Sequence, residues 1–363
     1  MIRILHYGLS TNRGGIETYL HKIWTHVDKS NFHFDFIDTN IEDPCYYDEF
    51  TKMGSNFYKV IPRGKSILQN KKDLDNLFKR GSFDILHCHL NTLSYIEPIN
   101  AALRHDCKVV LHSRSAGASK SIITNSMHYI NSFRLPRDKV KMIAVSELAG
   151  EWLFGKNTEF EILNNGIEIN KFKFNKEKRL KLRKEMNLND KFVIGNVGAF
   201  LYAKNHKFLI KIFHKLVQKK TESVLLLVGT GTLKEEIQRI VIEMGLHEKV
   251  IFLGRRSDVP DLLSAMDCFL FPSVYEGFPN AVLEAQTSGL PCLISDAITN
   301  EVVLTENCIR LSLNLTVEEW ANQILNLNKS NPRKQGSIAV EQAGYSVEEE
   351  IKKVEELYSS LLL

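Results

Sequence analysis

Two carboxylates, Glu276 and Glu284, stand eight positions apart across the segment Glu276-Gly-Phe-Pro-Asn-Ala-Val-Leu-Glu284. Pro279 and Asn280 favour a helix that begins there, since proline tolerates the first turn and asparagine suits a helix start. Glu284 would then sit about one turn inside a helix whose unpaired amides and positive dipole end can hold a phosphate. A carboxylate accepts both hydrogen bonds of a cis-diol, so Glu284 beside a phosphate suits a ribose. Glu276, on the loop, suits a sugar beyond the phosphate. Taken alone, the spacing favours two solvated carboxylates.

Other residues offer weaker signals. Gly14 and Gly15 follow the first apolar run and read either as a tight turn or as a place where backbone comes close to a diphosphate. Gly229-Thr-Gly231 is a lone G-x-G and fits a plain strand-to-helix turn equally well. His87, Cys88 and His89 invite a metal, yet they alternate along a predicted strand and so point to opposite faces, which disfavours a joint site. His112 closes the apolar run 108–112, where a ligand-facing residue belongs. Ser113 to Ser121 is small and polar, with Arg114 and Lys120, and reads as an exposed loop or as a loop over an acceptor.

These positions need a scaffold, and the hydrophobic pattern supplies one. Short apolar runs at 2–7, 34–37, 85–88, 108–112 and 141–145 alternate with helical periodicity, and a second series follows at 192–197, 223–228, 250–253, 268–272 and 291–295. Each series suffices for a doubly wound parallel sheet with ligands at the carboxyl ends of its strands. A chain of 363 residues exceeds what one core usually supports, so two domains are expected. Hydrophobic residues at 44% and charged residues at 25% place both in the folded globular class. Lys176, Lys178, Arg179, Lys181, Arg183 and Lys184 crowd one stretch beside the expected boundary, which reads mainly as a solvated helix and secondarily as a contact for anionic lipid. The tail from Ser346 reads as a helix with Val347, Ile351, Val354, Leu357 and Tyr358 on one side, Ser346 and Glu349 forming its capping box.

Composition also excludes. A net charge of +4 is no nucleic-acid footprint, so nucleic acid is not an expected partner. The six cysteines contain no C-x-x-C pair and suit free buried thiols, hence a cytoplasmic protein. The first residues lack a signal peptide's long apolar stretch, and no apolar run approaches the roughly eighteen residues of a spanning helix. Peripheral membrane contact stays open.

The segment from Tyr275 to Ala285 resembles the E-x7-E signature of glycosyltransferase family 4, retaining enzymes of the GT-B fold. The resemblance extends along nearly the whole chain: Gly14-Gly-Ile-Glu17, Asp84-Ile-Leu-His-Cys-His89, Val145-Ser-Glu147, Leu163-Asn-Asn-Gly-Ile167, the stretch from Val197 to His206, and Asp258-Val-Pro-Asp-Leu-Leu263. It is nearest the branch that builds capsules and exopolysaccharides. It implies two Rossmann-like domains facing across a cleft: 1–170 on the acceptor side, with helix 346–363 packing back on it, and 171–345 binding the donor. It implies transfer, with retention, of a sugar from a nucleoside diphosphate donor, UDP by default, to a glycan or lipid-linked acceptor. No metal or other cofactor is implied. A partner glycosyltransferase and work at the inner face of the plasma membrane fit the same branch.

By this resemblance Glu276, His112 and Lys204 serve catalysis. Gly14, Gly15, Ala199, Lys204, Arg255, Phe278, Pro279, Asn280, Ala281, Val282 and Glu284 line the donor, and Arg114 and Lys120 stand on the acceptor side. One position departs from the pattern: the family's arginine two residues after the strand valine is here Ala199, so half of the cationic clamp on the diphosphate is missing. Arg13, Arg255 or Arg256 could replace it. The departure keeps open a weakened or non-catalytic partner subunit that binds nucleotide sugar or glycan, and a nucleotide-sugar epimerase of the same fold.

Overall fold

The computed structural model describes residues 1–117, 121–327 and 333–363, so Lys120 lies outside the described residues. The chain divides into two compact units, Met1–Asn165 with Glu348–Leu363, and Gly166–Val347. Residues 166–170 and 346–347, expected with the first domain, thus fall with the second. The physical reason is a crossing in which outgoing and returning chain pair: Ile167 N–H donates to Tyr345 O at 2.8 Å and Val347 N–H to Ile167 O at 3.0 Å.

The first unit holds β1 (Ile2–Tyr7), β2 (Phe32–Asp38), β3 (Phe57–Lys59), β4 (Ile85–Leu90), β5 (Lys108–Ser113), β6 (Val140–Ala144) and β7 (Glu161–Ile162). They form one parallel sheet in the order β3-β2-β1-β4-β5-β6-β7. The second unit holds β8 (Phe192–Val197), β9 (Ser223–Val228), β10 (Val250–Gly254), β11 (Cys268–Phe271), β12 (Cys292–Ser295) and β13 (Cys308–Leu311), in the order β10-β9-β8-β11-β12-β13 and again parallel. In each sheet the order reverses beside the first strand, between β1 and β4 and between β8 and β11, which is where a doubly wound sheet opens a crevice for ligand. The short strands β3, β7 and β13 were not among the expected runs; they lie at or near sheet edges and carry too few apolar residues to stand out.

Burial explains the central strands. Every residue of β4, β9 and β11 is buried, as expected of strands covered on both faces by helices. On β4 the alternation sends Leu86, Cys88 and Leu90 into one hydrophobic core with Leu5, Val109 and Leu111, and leaves His87 and His89 on the other face. Helix starts follow their sequence signals: Ser66, Ser146, Asn175 and Thr316 each accept the backbone N–H three residues on.

The basic stretch forms the helix Lys176–Glu185, and it is not simply a solvated helix. Arg179 donates to Asp267 Oδ1 at 2.5 Å and to the carbonyls of Ser264, Ala265 and Met266. The buried Arg183 reaches Asp267 Oδ2 at 3.1 Å, and Lys178 pairs with Asp261 at 3.1 Å. Half of the cations expected to meet solvent or lipid are thus spent on the neighbouring helix Val259–Ala265: Arg179 and Arg183 on the carbonyls at its end and the carboxylate of Asp267 just beyond, and Lys178 on Asp261 in its first turn. The tail helix spans Val347–Ser360, and the residues placed on one side by periodicity are all buried, with Glu350 buried among them beside Lys22.

Candidate functional site

In the second unit the adjacency of β8 and β11 decides the site. A short turn, Tyr202–Lys204, follows β8, and the loop carrying Glu276 follows β11. Lys204 Nζ meets Glu276 Oε1 at 2.6 Å, with both side chains largely shielded from water at 19% and 13% exposure. The same ammonium lies 4.8 Å from the centre of the Phe271 ring, a favourable place for a cation. Val274 N–H donates to Ala203 O at 2.7 Å and ties the two loops together. A Cβ on Gly198 would stand 3.3 Å from the Lys204 side chain, so the glycine leaves room for the lysine stem.

Ala199 is exposed just beyond β8. Its loop is braced by the Gly229–Gly231 turn: Phe200 N–H donates to Thr230 O at 2.9 Å, and a side chain at Gly229 or Gly231 would strike the backbone of Gly198 or Phe200. With φ of +146° and +154° these glycines have a structural use, shaping the loop that presents Ala199. Arg255 follows β10, two strands from β8 and so about 10 Å away, and is exposed with no carboxylate partner among the described residues. Arg256 is committed to Asp258 by bonds of 2.7 and 2.6 Å.

The helix expected after Pro279 spans Asn280–Thr287, and Glu284 lies on its first turns. Several of its first amides are already used: Asn280 N–H donates to Phe278 O at 3.1 Å, and Val282 N–H to Pro279 O at 2.9 Å. Val282 is also fully buried, so its expected place against a donor is not supported by either its side chain or its amide. The Ala281 amide has no backbone acceptor among the described residues and remains for a ligand. Phe278 stacks on Tyr345, ring centres 5.4 Å apart, and anchors the loop from below.

The first unit brings together a different set. Gly14 caps the helix Gly15–His26, and its N–H donates to Glu17 Oε2 at 2.9 Å while Glu17 Oε1 accepts from Ser10 N–H and Oγ. The buried Glu17 braces the loop, a role that the motif alone did not reveal. A Cβ on Gly14 would crowd that carboxylate, whereas one on Gly15 would meet nothing within 4 Å. Gly15 therefore leaves bare backbone facing open space, as an approaching ligand requires. Arg13 stacks over Tyr46 at 4.9 Å.

His112 stands at the end of β5, fully buried. Arg114 donates to His112 Nε2 at 3.1 Å, and His112 Nδ1 lies 3.3 Å from His87 Nε2, whose Nδ1 lies 2.7 Å from the Tyr358 hydroxyl. A guanidinium can only donate, so His112 Nε2 carries the lone pair and its proton sits on Nδ1; by the same logic His87 is protonated on Nδ1 and donates to Tyr358. Both nitrogens of His112 are thus engaged, and a sugar would reach it only by displacing Arg114. Arg114 itself lies over the Tyr19 ring at 4.0 Å and donates to Asn165 Oδ1 at 3.1 Å.

Strand register adds His6, which sequence reasoning missed: it pairs with His87 across β1 and β4, and its Nδ1 lies 3.1 Å from His89 Nε2. His87 and His89 share a face, and Cys88 alone points away. His6, His87 and His89 can bring ring nitrogens within 4.8 Å of one another, a metal-competent geometry. A third ligand would have to come from His87, whose nitrogens already serve Tyr358 and His112, so neutral hydrogen-bonded imidazoles describe the cluster better. Burial pushes His6 down to about 3 and holds His87, His89 and His112 well below the ordinary histidine range.

Residues 191–330 match the family model described as glycosyl transferases group 1. The EpsF protein of Bacillus subtilis (strain 168), assigned as a glycosyltransferase, is 31% identical over 98% of this chain and 96% of its own. The UDP-Gal:alpha-D-GlcNAc-diphosphoundecaprenol alpha-1,3-galactosyltransferase of Escherichia coli is 25% identical, covering 85% of this chain and 84% of that one. Among solved structures, Anabaena Alr3699/HepE in complex with UDP and glucose superposes with a TM-score of 0.81 at 20% identity, covering 99% of this chain and 100% of that one, which shows a common fold.

Proposed function

The chain belongs to the group 1 glycosyltransferases, enzymes of family 4 with the GT-B fold, and from that premise we propose that it transfers a sugar, with retention, from a UDP-sugar to a lipid-linked or glycan acceptor. Glycosyl transfer in bacterial polysaccharide synthesis is the supported activity. The donor, the stereochemistry and the acceptor are our reading. The single observation that carries it is the Lys204–Glu276 pair at the adjoining ends of β8 and β11. The Escherichia coli relative's UDP-galactose and diphosphoundecaprenol substrates, and the UDP and glucose bound by the Anabaena protein, support the donor and acceptor classes.

In this reading the second unit holds the donor. Lys204 carries three N–H groups, of which one serves Glu276 and the others can meet diphosphate oxygens. With the Ala281 amide it stabilises the charge that grows on the leaving phosphate, the largest requirement of the reaction. Glu284 takes the ribose hydroxyls. Glu276, paired with Lys204, accepts hydroxyls of the transferred sugar. The acceptor hydroxyl attacks the anomeric carbon on the face from which the phosphate departs. The carbon–phosphate oxygen bond breaks as the new glycosidic bond forms, and the leaving phosphate oxygen takes the acceptor's proton. No metal is assigned a step. Arg114, in the first unit, is our candidate on the acceptor side. The enzyme works in the cytoplasm, at the inner face of the plasma membrane.

A second reading, a partner subunit with weakened catalysis, is favoured by one observation, Ala199 in place of the clamp's arginine. A panel of UDP-, GDP- and ADP-sugars separates the two. Thermal shift with a UDP-sugar, and nucleotide release that requires acceptor, is the result expected. Binding without release under any acceptor identifies the partner, and preference for another nucleotide overturns the donor assignment.

A further inference from the structure

The loop that carries Glu276 is held in two different ways. At one end Lys204 Nζ meets the carboxylate at 2.6 Å, and in the proposed reaction the same ammonium turns its other N–H groups to the diphosphate, so this hold changes when a donor binds. Gly277 follows Glu276 and restrains the backbone least of all residue types, which leaves the carboxylate only as well placed as the residue beyond it. That residue is Phe278. Its buried ring stacks on the buried Tyr345, centres 5.4 Å apart and planes 17° from parallel, the offset arrangement that aromatic pairs prefer. A stack of two buried rings does not depend on the charge of a ligand.

Tyr345 makes a fixed platform because each of its polar groups is engaged. Its N–H donates to Val340 O at 3.2 Å near the end of the helix Lys334–Gln342, its carbonyl accepts from Ile167 N–H at 2.8 Å, and its hydroxyl donates to Glu301 O at 3.3 Å. Glu301 lies in the short turn Asn300–Val302 beyond β12, so one ring braces segments that follow two neighbouring strands, β11 and β12. Phe278 O also accepts the Asn280 N–H of the helix Asn280–Thr287, but that helix has holds of its own. Val282 is fully buried on it, and Gln286 donates to Val302 O at 2.6 Å and accepts from Leu304 and Thr305 N–H at 3.0 and 3.1 Å. Glu276 is thus the functional group whose place depends on the stack. We propose that Tyr345 is a positioning residue for glycosyl transfer: through Phe278 it holds Glu276 where Lys204 and the transferred sugar meet it. This rests on the assignment of Glu276 to the sugar, and Tyr345 itself touches none of the reacting atoms.

A double-mutant cycle on the full chain is the test, with turnover of the nucleotide sugar that the donor panel selects and with UDP alone as the binding probe. Tyr345→Phe keeps the ring and should turn over within about twofold of wild type. Tyr345→Leu keeps an apolar side chain but removes the stack, so kcat should fall about tenfold, because a small misplacement of a reacting group is costly, while the Kd for UDP stays within about twofold. In a Glu276→Ala background the same change should cost less than about twofold more, since the group it places is gone. Hydrogen exchange of residues 273–279 should quicken in Tyr345→Leu while that of β9 does not. A wild-type kcat in Tyr345→Leu, a full second loss on top of Glu276→Ala, or equal losses in kcat and in UDP affinity overturns the proposal. Should Tyr345→Leu not fold, Phe278→Leu removes the same stack from the loop side and is read by the same outcomes. The transferase reading fails differently: Glu276→Ala then leaves turnover unchanged, or no nucleotide sugar is turned over. In that case quickened exchange of 273–279 upholds the hold of Tyr345 on the loop, and unchanged exchange overturns that as well.

Discussion

The two units repeat one strand order yet line their switch points differently. Next to last on the first strand stands His6 in one sheet and Asn196 in the other; beside them lie His87 on β4 and Leu270 on β11. Asn196 Nδ2 donates to Leu270 O at 2.8 Å and ends matters there. In the first unit His112 and His87 build a buried, neutral ladder from Arg114 to Tyr358, while the neighbouring His6 and His89 meet each other and leave His6 Nε2 and His89 Nδ1 without a partner among the described residues. In the second, charge stands at the strand ends, partly open to solvent, in Lys204 and Glu276. A shared scaffold thus fixes where a site can be, and the few residues at the ends of its central strands fix whether that place stores hydrogen bonds or meets a charged ligand.

The comparison can be broken most sharply at Glu276. Glu276→Ala should lower kcat by about 10²- to 10³-fold, the usual cost of a group acting on the reacting centre, while changing the Kd for UDP far less. Equal losses in both would move Glu276 into the nucleotide site. Acid offers the next largest effect. His6, held near 3, and His87, His89 and His112 in the first unit stay neutral when folded, as does His206 in the second, pushed down to about 4 by burial and by Lys204. The unfolded chain takes up these protons near pH 6.5, so stability is full above that pH and falls as pH drops through the window toward 4, by up to roughly 3 kcal/mol for His206 alone. With four such rings against one, the first unit should open first. Hydrogen exchange of β4 against β9 between pH 7 and roughly pH 4.5 reads this order, and simultaneous opening would show that the ladder is not the weak point.

Smaller effects sharpen the second unit's side. Glu284→Ala should weaken UDP binding by roughly 1.5–3 kcal/mol, tenfold or more in Kd by isothermal titration, as a charged acceptor is lost. Unchanged affinity would remove the ribose from that helix. Ala199→Arg should strengthen UDP-sugar binding by about tenfold, because Ala199 is exposed and a second cation would share the diphosphate with Lys204. An affinity unchanged or weaker would show that Arg255 or another cation already does so.

Much of this protein was legible in its residues. Ten apolar runs named ten strands, nine of them inside the sheets and β10 at an edge, because a parallel strand covered on both faces is largely apolar. The tail helix's buried stripe followed from its periodicity, and Pro279-Asn280 announced the helix start beside Glu276. What stayed hidden depends on distance along the chain. The meeting of Lys204 with Glu276, 72 residues apart, needs β8 beside β11, and only the strand order supplies that. His6 joins His87 through register, which no local pattern carries. Arg179 and Arg183 read as solvated cations until the fold brought Asp267 to them. The helix Ile122–Arg134 has an apolar face in any reading; only the packed neighbours decide that this face points outward, since amphipathicity gives a helix two sides and tertiary structure chooses which one is covered.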